Sequence, residues 1–114
     1  MTQEAFVNWC KDYGLAGVAT TLKAMEAPTK SPTKAMLRRA GWYSKLSEAD
    51  RRDLAFVLRR ASMETLFSLF CILDGVASGS HGEFELTYLA DGRRERINGS
   101  GFEMLHDLVN LRKY

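Results

Sequence analysis

Along this chain apolar positions recur at helical spacing in most segments and alternate strictly in only one. Phe6, Cys10 and Tyr13 follow i, i+4, i+7 with Trp9 beside them, and Thr2 precedes them as a cap with Glu4 in the first turn. Gly14 ends or interrupts that stripe. Leu15, Val18, Leu22 and Met25 then form a second one, which stops before Pro28. Pro28 and Pro32 make the following stretch a loop, because neither can continue a helical hydrogen-bond ladder. A third helix is predicted from Thr33 to about Arg39, with Met36, Leu37 and Ala40 as its contacts and Gly41 as its stop. Trp42 and Tyr43 are then free to cover a helix junction or to act as aromatic anchors.

Ser47-Glu-Ala-Asp50 opens a fourth helix, a serine followed three residues later by an acid. Leu54, Val57, Leu58 and Ala61 supply its buried face, and Glu48 is spaced to pair with Arg52. With Ser62 as a cap, residues 63–74 form the next helix. Its run from Met63 to Leu73 carries no charge after Glu64 and is apolar nearly all round. Such a segment is predicted to be the buried axis of the fold. Gly75 suits the left-handed position after it. Residues 78–82 read as a flexible connector.

Phe84, Leu86 and Tyr88 alternate with Glu83, Glu85 and Thr87, the pattern of a half-buried strand. Asp91-Gly92 marks a two-residue type I′ turn and places Thr87 opposite Arg96 and Leu86 opposite Ile97. Arg94 and Arg96 then fall on the wet face of a hairpin over about residues 83–98. Ser100-Gly-Phe-Glu103 is a second capping box, and Phe102, Leu105, Leu108 and Val109 give a C-terminal helix its apolar side. The expected fold is therefore a single α+β domain over 1–114. It is predominantly helical, with four to five helices around the central one, one hairpin and a closing helix.

Composition adds little to this picture. At 114 residues the chain fits one domain, and the two cysteines form no disulfide framework, so Cys10 and Cys71 are expected as free thiols within apolar stripes. The N-terminus has no basic-then-apolar leader pattern, and the run 63–73 is far short of the ~20 residues that cross a bilayer. The expected setting is cytoplasmic, without membrane contact. Net charge is only +2, yet residues 34–60 hold eight basic side chains against three acidic ones.

That basic middle is the main candidate for function. Arg52, Phe56 and Arg59 share one ridge at i, i+4, i+7, flanked by Arg51 and Arg60, and Arg94 and Arg96 add a basic hairpin. Arg52, Arg59, Arg60, Arg94 and Arg96 are the candidate partner-binding residues. Helices followed by a basic hairpin evoke a winged helix, but there the helix before the hairpin reads DNA with polar and basic side chains. Here that helix presents leucines and phenylalanines. A nucleic-acid-associated regulator, binding through helix 48–60 and the hairpin tip, is accordingly the second reading.

Catalytic patterns are weak. His106-Asp107 are neighbours whose side chains diverge by about 100° on a helix. His81 and Ser80 lie in a connector without the strand–turn–helix setting of a nucleophile elbow. The two histidines lack metal-ligand spacing, and no phosphate-cradling glycine loop is present. No catalytic residue, metal or cofactor is expected; an enzyme would have to use His106 or His81 as its base.

One resemblance bears on function. Phe84-Glu-Leu-Thr-Tyr-Leu-Ala-Asp-Gly92, continuing through Ile97-Asn-Gly to Leu105-His-Asp-Leu108, resembles the C-terminal ends of small bacterial proteins that include immunity proteins. It covers only the final third of the chain. The resemblance implies a non-enzymatic cytoplasmic inhibitor that neutralises one cognate toxin, and it carries over no site residues. Partner identity and oligomeric state are open at this level.

Overall fold

The computed structural model describes residues 1–79 and 81–114; Ser80, inside the connector read from the sequence, lies outside the described residues. The chain is 61% helical with one two-stranded antiparallel sheet. The elements are α1 (Gln3–Glu26), α2 (Lys34–Ser44), α3 (Glu48–Leu73), β1 (Thr87–Ala90), β2 (Arg93–Arg96), α4 (Leu105–Val109) and a closing 3-10 turn at Leu111–Lys113. The α+β, mainly helical architecture and its C-terminal helix are as expected, but several boundaries are not.

The two stripes assigned to separate N-terminal helices belong to one helix, α1. Gly14 does not break it. A Cβ at Gly14 would lie 3.0 Å from both Met63 Cε and Ser62 Oγ, so the missing side chain is what lets α3 come close. Ser62 therefore faces α1 instead of capping a helix, and the segments 47–61 and 63–74 fuse into the single α3. Gly41 likewise sits inside α2, which runs on to Ser44. The expected caps Thr2, Thr33 and Ser47 each accept an N–H from three residues on.

Phe6 against Phe70 and Gly14 against Met63 show α1 running antiparallel to α3. Val7, Met63, Phe70, Ile97, Leu105 and Val109 form the core, with Leu66, Phe67, Leu73, Leu86 and Leu108 packed around it. Run 63–73 is thus the segment on which α1 and α4 converge, but its burial is one-sided. Thr65, Ser68, Leu69 and Ile72 are exposed. The cause is direction: α1 and α4 pack on one side of α3, and among the described residues no element stands over the other. Trp9, Tyr13 and Val57, read as parts of apolar stripes, are exposed as well.

The hairpin forms in the predicted register, Thr87 opposite Arg96, with positive φ at both Asp91 and Gly92. Ile97 is buried, whereas Phe84 and Tyr88 stay exposed and only Leu86 of that strand packs on the core. Among the described residues Ser100 does not cap α4, whose N-cap is Met104. Instead Asp74, just past α3, accepts the His106 N–H at 3.0 Å and so caps α4 from another helix. Phe102 lies outside α4 and is exposed.

The overall shape is extended. The radius of gyration is 17.9 Å, against about 13 Å for a compact domain of this length, over extents of 50 × 31 × 26 Å.

Candidate functional site

The N-terminal half of α3 is grazed by α1 along Arg51 and Ala55, near Glu26, and Leu54 and Leu58 are half-buried on that side. The Arg52–Phe56–Arg59 ridge lies beside that covered strip, on the side of α3 that Phe70 occupies further along, and Arg52 borders the same cleft as Glu26. All three are exposed, Phe56 at 58%. Among the described residues no carboxylate lies within ion-pair distance of Arg52 or Arg59, and the expected Glu48–Arg52 pair does not form. Val57 extends the apolar part of the surface beside Phe56.

Other predicted contact residues are engaged elsewhere. Arg60 Nε donates to Glu64 Oε1 at 2.7 Å and its guanidinium donates to the Leu111 carbonyl at 2.6 Å. It ties the C-terminal turn to α3, a structural task. Arg96 folds back to donate from Nε to the Asn98 carbonyl at 2.7 Å, its guanidinium lying over Gly99. Arg94 is exposed across the strand pair from exposed Leu89. The hairpin is anchored at Leu73, about 21 Å along the helix axis from Arg59. Ridge and hairpin tip are consequently two separate surfaces.

Trp42 and Tyr43 separate in the same way. Trp42 is exposed, while Tyr43 is buried under the Arg51 guanidinium, whose carbon sits 4.5 Å from the ring centroid. Tyr43 and Arg51, with Glu26, Leu46, Glu48, Arg52 and Ala55, line an open cleft of about 620 Å³. Its charges are of mixed sign.

The other concentration of titratable groups is at the α3–α4 joint. His106 Nδ1 lies 2.7 Å from Asp74 Oδ2, and its Nε2 lies 3.4 Å from Asp107 Oδ1. Neighbouring helix positions do face each other here, because the Asp74 contact turns the ring, which also packs edge-on to Phe67. Asp74 engages Nδ1, whereas Nε2 faces only the exposed Asp107 carboxylate. Among the described residues no group of three or more His, Cys, Asp or Glu side chains is disposed to hold a metal. The nearby Cys71 thiol is pushed up from its usual pKa, first by burial and then by Asp74 and Asp107. That disfavours the thiolate a nucleophile requires. Burial raises Cys10 as well, and both thiols are free.

Two expectations follow. A disulfide reagent at pH 8 should label both cysteines well below the rate of a free thiol, and the rates should still be climbing at a pH where a free thiol has levelled off; glutathione-like rates at pH 8 would contradict the raised values. Asp74→Ala should cost about 2 kcal/mol in urea unfolding, since it removes both the α4 cap and the imidazole partner. Asp74→Asn keeps an acceptor for the His106 N–H and should lose less.

Neither Asp74 as a cap nor Asn98 as a buried bridge is legible in the sequence, because their partners are 12 to 32 residues away. No protein-family model, curated protein or solved structure matches this chain. Among the described residues no helix is long and apolar enough to cross a membrane.

Proposed function

We propose that the chain is a protein-binding module that docks its partner on the Arg52–Phe56–Arg59 ridge. The partner class implied by the C-terminal resemblance is a bacterial toxin neutralised by an immunity-type inhibitor. One observation carries the reading: an exposed phenylalanine on α3 between two exposed arginines that pair with no carboxylate among the described residues. Burying such a ring is worth about 1.5–3 kcal/mol, and aromatic and arginine side chains dominate the energetics of protein interfaces. The complementary partner surface is an apolar socket rimmed by carboxylates.

Affinity capture from the native cell tests this. Phe56→Ala, and separately Arg52→Glu with Arg59→Glu, should each abolish capture of the protein retained by the unaltered chain, with the thermal midpoint nearly unchanged. Full capture by both variants would refute the ridge. Salt-sensitive retention of DNA or RNA that survives Phe56→Ala but not the arginine reversals would replace it with the polyanion reading.

A further inference from the structure

The exposed surface of this chain, 8373 Å², exceeds the roughly 6,300 Å² of a compact monomer of its 12.9 kDa mass by about 2,000 Å². A stable dimer removes about 800 Å² from each partner. The surplus is therefore large enough to supply a permanent interface.

Its least water-adapted part is the outward face of the C-terminal half of α3. Ala61, Thr65, Ser68, Leu69 and Ile72 recur there at helical spacing. Leu69 is 50% exposed and Ile72 43%, and Val76 just beyond the helix is equally open. No residue from Thr65 to Leu73 carries a charge. Glu64, at the edge of this face, is already paired with Arg60. The two hydroxyls make no demand on water for a partner. Thr65 Oγ1 donates to the Ala61 carbonyl at 3.0 Å and Ser68 Oγ to the Glu64 carbonyl at 2.9 Å. A face whose polar protons are satisfied by its own helix loses little on drying.

We infer that this chain is a homodimer in which the 61–72 face of α3 packs antiparallel on the same face of a second copy. The occupant is a second copy because the face has no charge for a partner of opposite sign to match, and none to repel itself. Charge-depleted, apolar contact is the signature of homodimer interfaces. An isologous contact centred between Ser68 and Leu69 sets Ile72 over Thr65 and Val76 over Ala61 of the other copy, large against small. This inference is independent of the ridge, which lies on the N-terminal half of α3 and keeps its charges in water.

Sedimentation equilibrium of the full chain from about 1 to 100 µM tests it. The expected mass is twice 12.9 kDa. Leu69→Lys, and separately Thr65→Arg at an already polar exposed position, should each weaken dimerisation about 30-fold with helicity retained. Arg52→Glu with Arg59→Glu should leave the dimer intact. A monomer throughout that range would overturn the inference, as would a dimer indifferent to both face variants. A monomeric chain that loses capture of another protein on Leu69→Lys would overturn it too, giving the face to that protein.

Discussion

Phe70→Ala is expected to lower unfolding stability by about 3–5 kcal/mol, while Phe56→Ala on the same helix changes it by no more than about 0.5. The two rings lie fourteen residues apart, nearly four full turns, and so point to the same side of α3. Phe70 is 1% exposed, its ring 5.9 Å from that of Phe6 and enclosed by the core. Phe56 has no such cover. Few large side chains are fully buried in this chain, so a cavity at Phe70 removes a major share of a net stability on the order of 10 kcal/mol. Urea denaturation of both variants decides the matter. Equal losses would mean that α1 and α4 do not shield Phe70 selectively.

Asn98 should be nearly as sensitive. Its side chain is 2% exposed and joins three backbone segments. Nδ2 donates to the carbonyls of Leu73 and Phe84, each at 3.0 Å, and Oδ1 accepts the Leu86 N–H at 2.7 Å. Asn98→Ala strands these groups together, at about 2–4 kcal/mol. Asn98→Asp keeps the acceptor but turns a carboxylate oxygen toward two carbonyls, so it should be worse than alanine at neutral pH. Burial and those carbonyls favour its protonated form and raise its folded pKa above the unfolded one. The penalty is therefore present at neutral pH and shrinks as pH falls through the folded value. Thermal midpoints of Asn98→Asp that fall on acidification would contradict this role.

How far the sequence speaks can be judged from particular residues. The Asp91-Gly92 turn and the 87–96 pairing were legible because a type I′ turn is a local backbone requirement that two residues satisfy by themselves. The same holds for the caps at Thr2, Thr33 and Ser47. Gly14 and Ser62 misled for a related reason. Locally each is a plausible helix boundary, and only the approach of α1 to α3 shows that each is a contact point within a continuous helix. Of the arginines, Arg52 and Arg59 were placed correctly on an open ridge. Arg60 and Arg96 were indistinguishable from them in sequence, because the carbonyls that claim them come from the chain end and from a folded turn.

By itself the sequence determined the helical majority, the single hairpin and its register, and the arginine–phenylalanine stripe, all consequences of short-range periodicity and backbone preference. Tertiary structure alone decided which stretch of each stripe is covered. Periodicity fixes the direction in which a side chain points; whether another element stands there depends on residues far along the chain, as Phe56 and Phe70 demonstrate. Hence the open 61–72 face could not be read from an uncharged run that looked like pure core, because apolar composition reports what a surface would bury against, not whether its own chain supplies the cover.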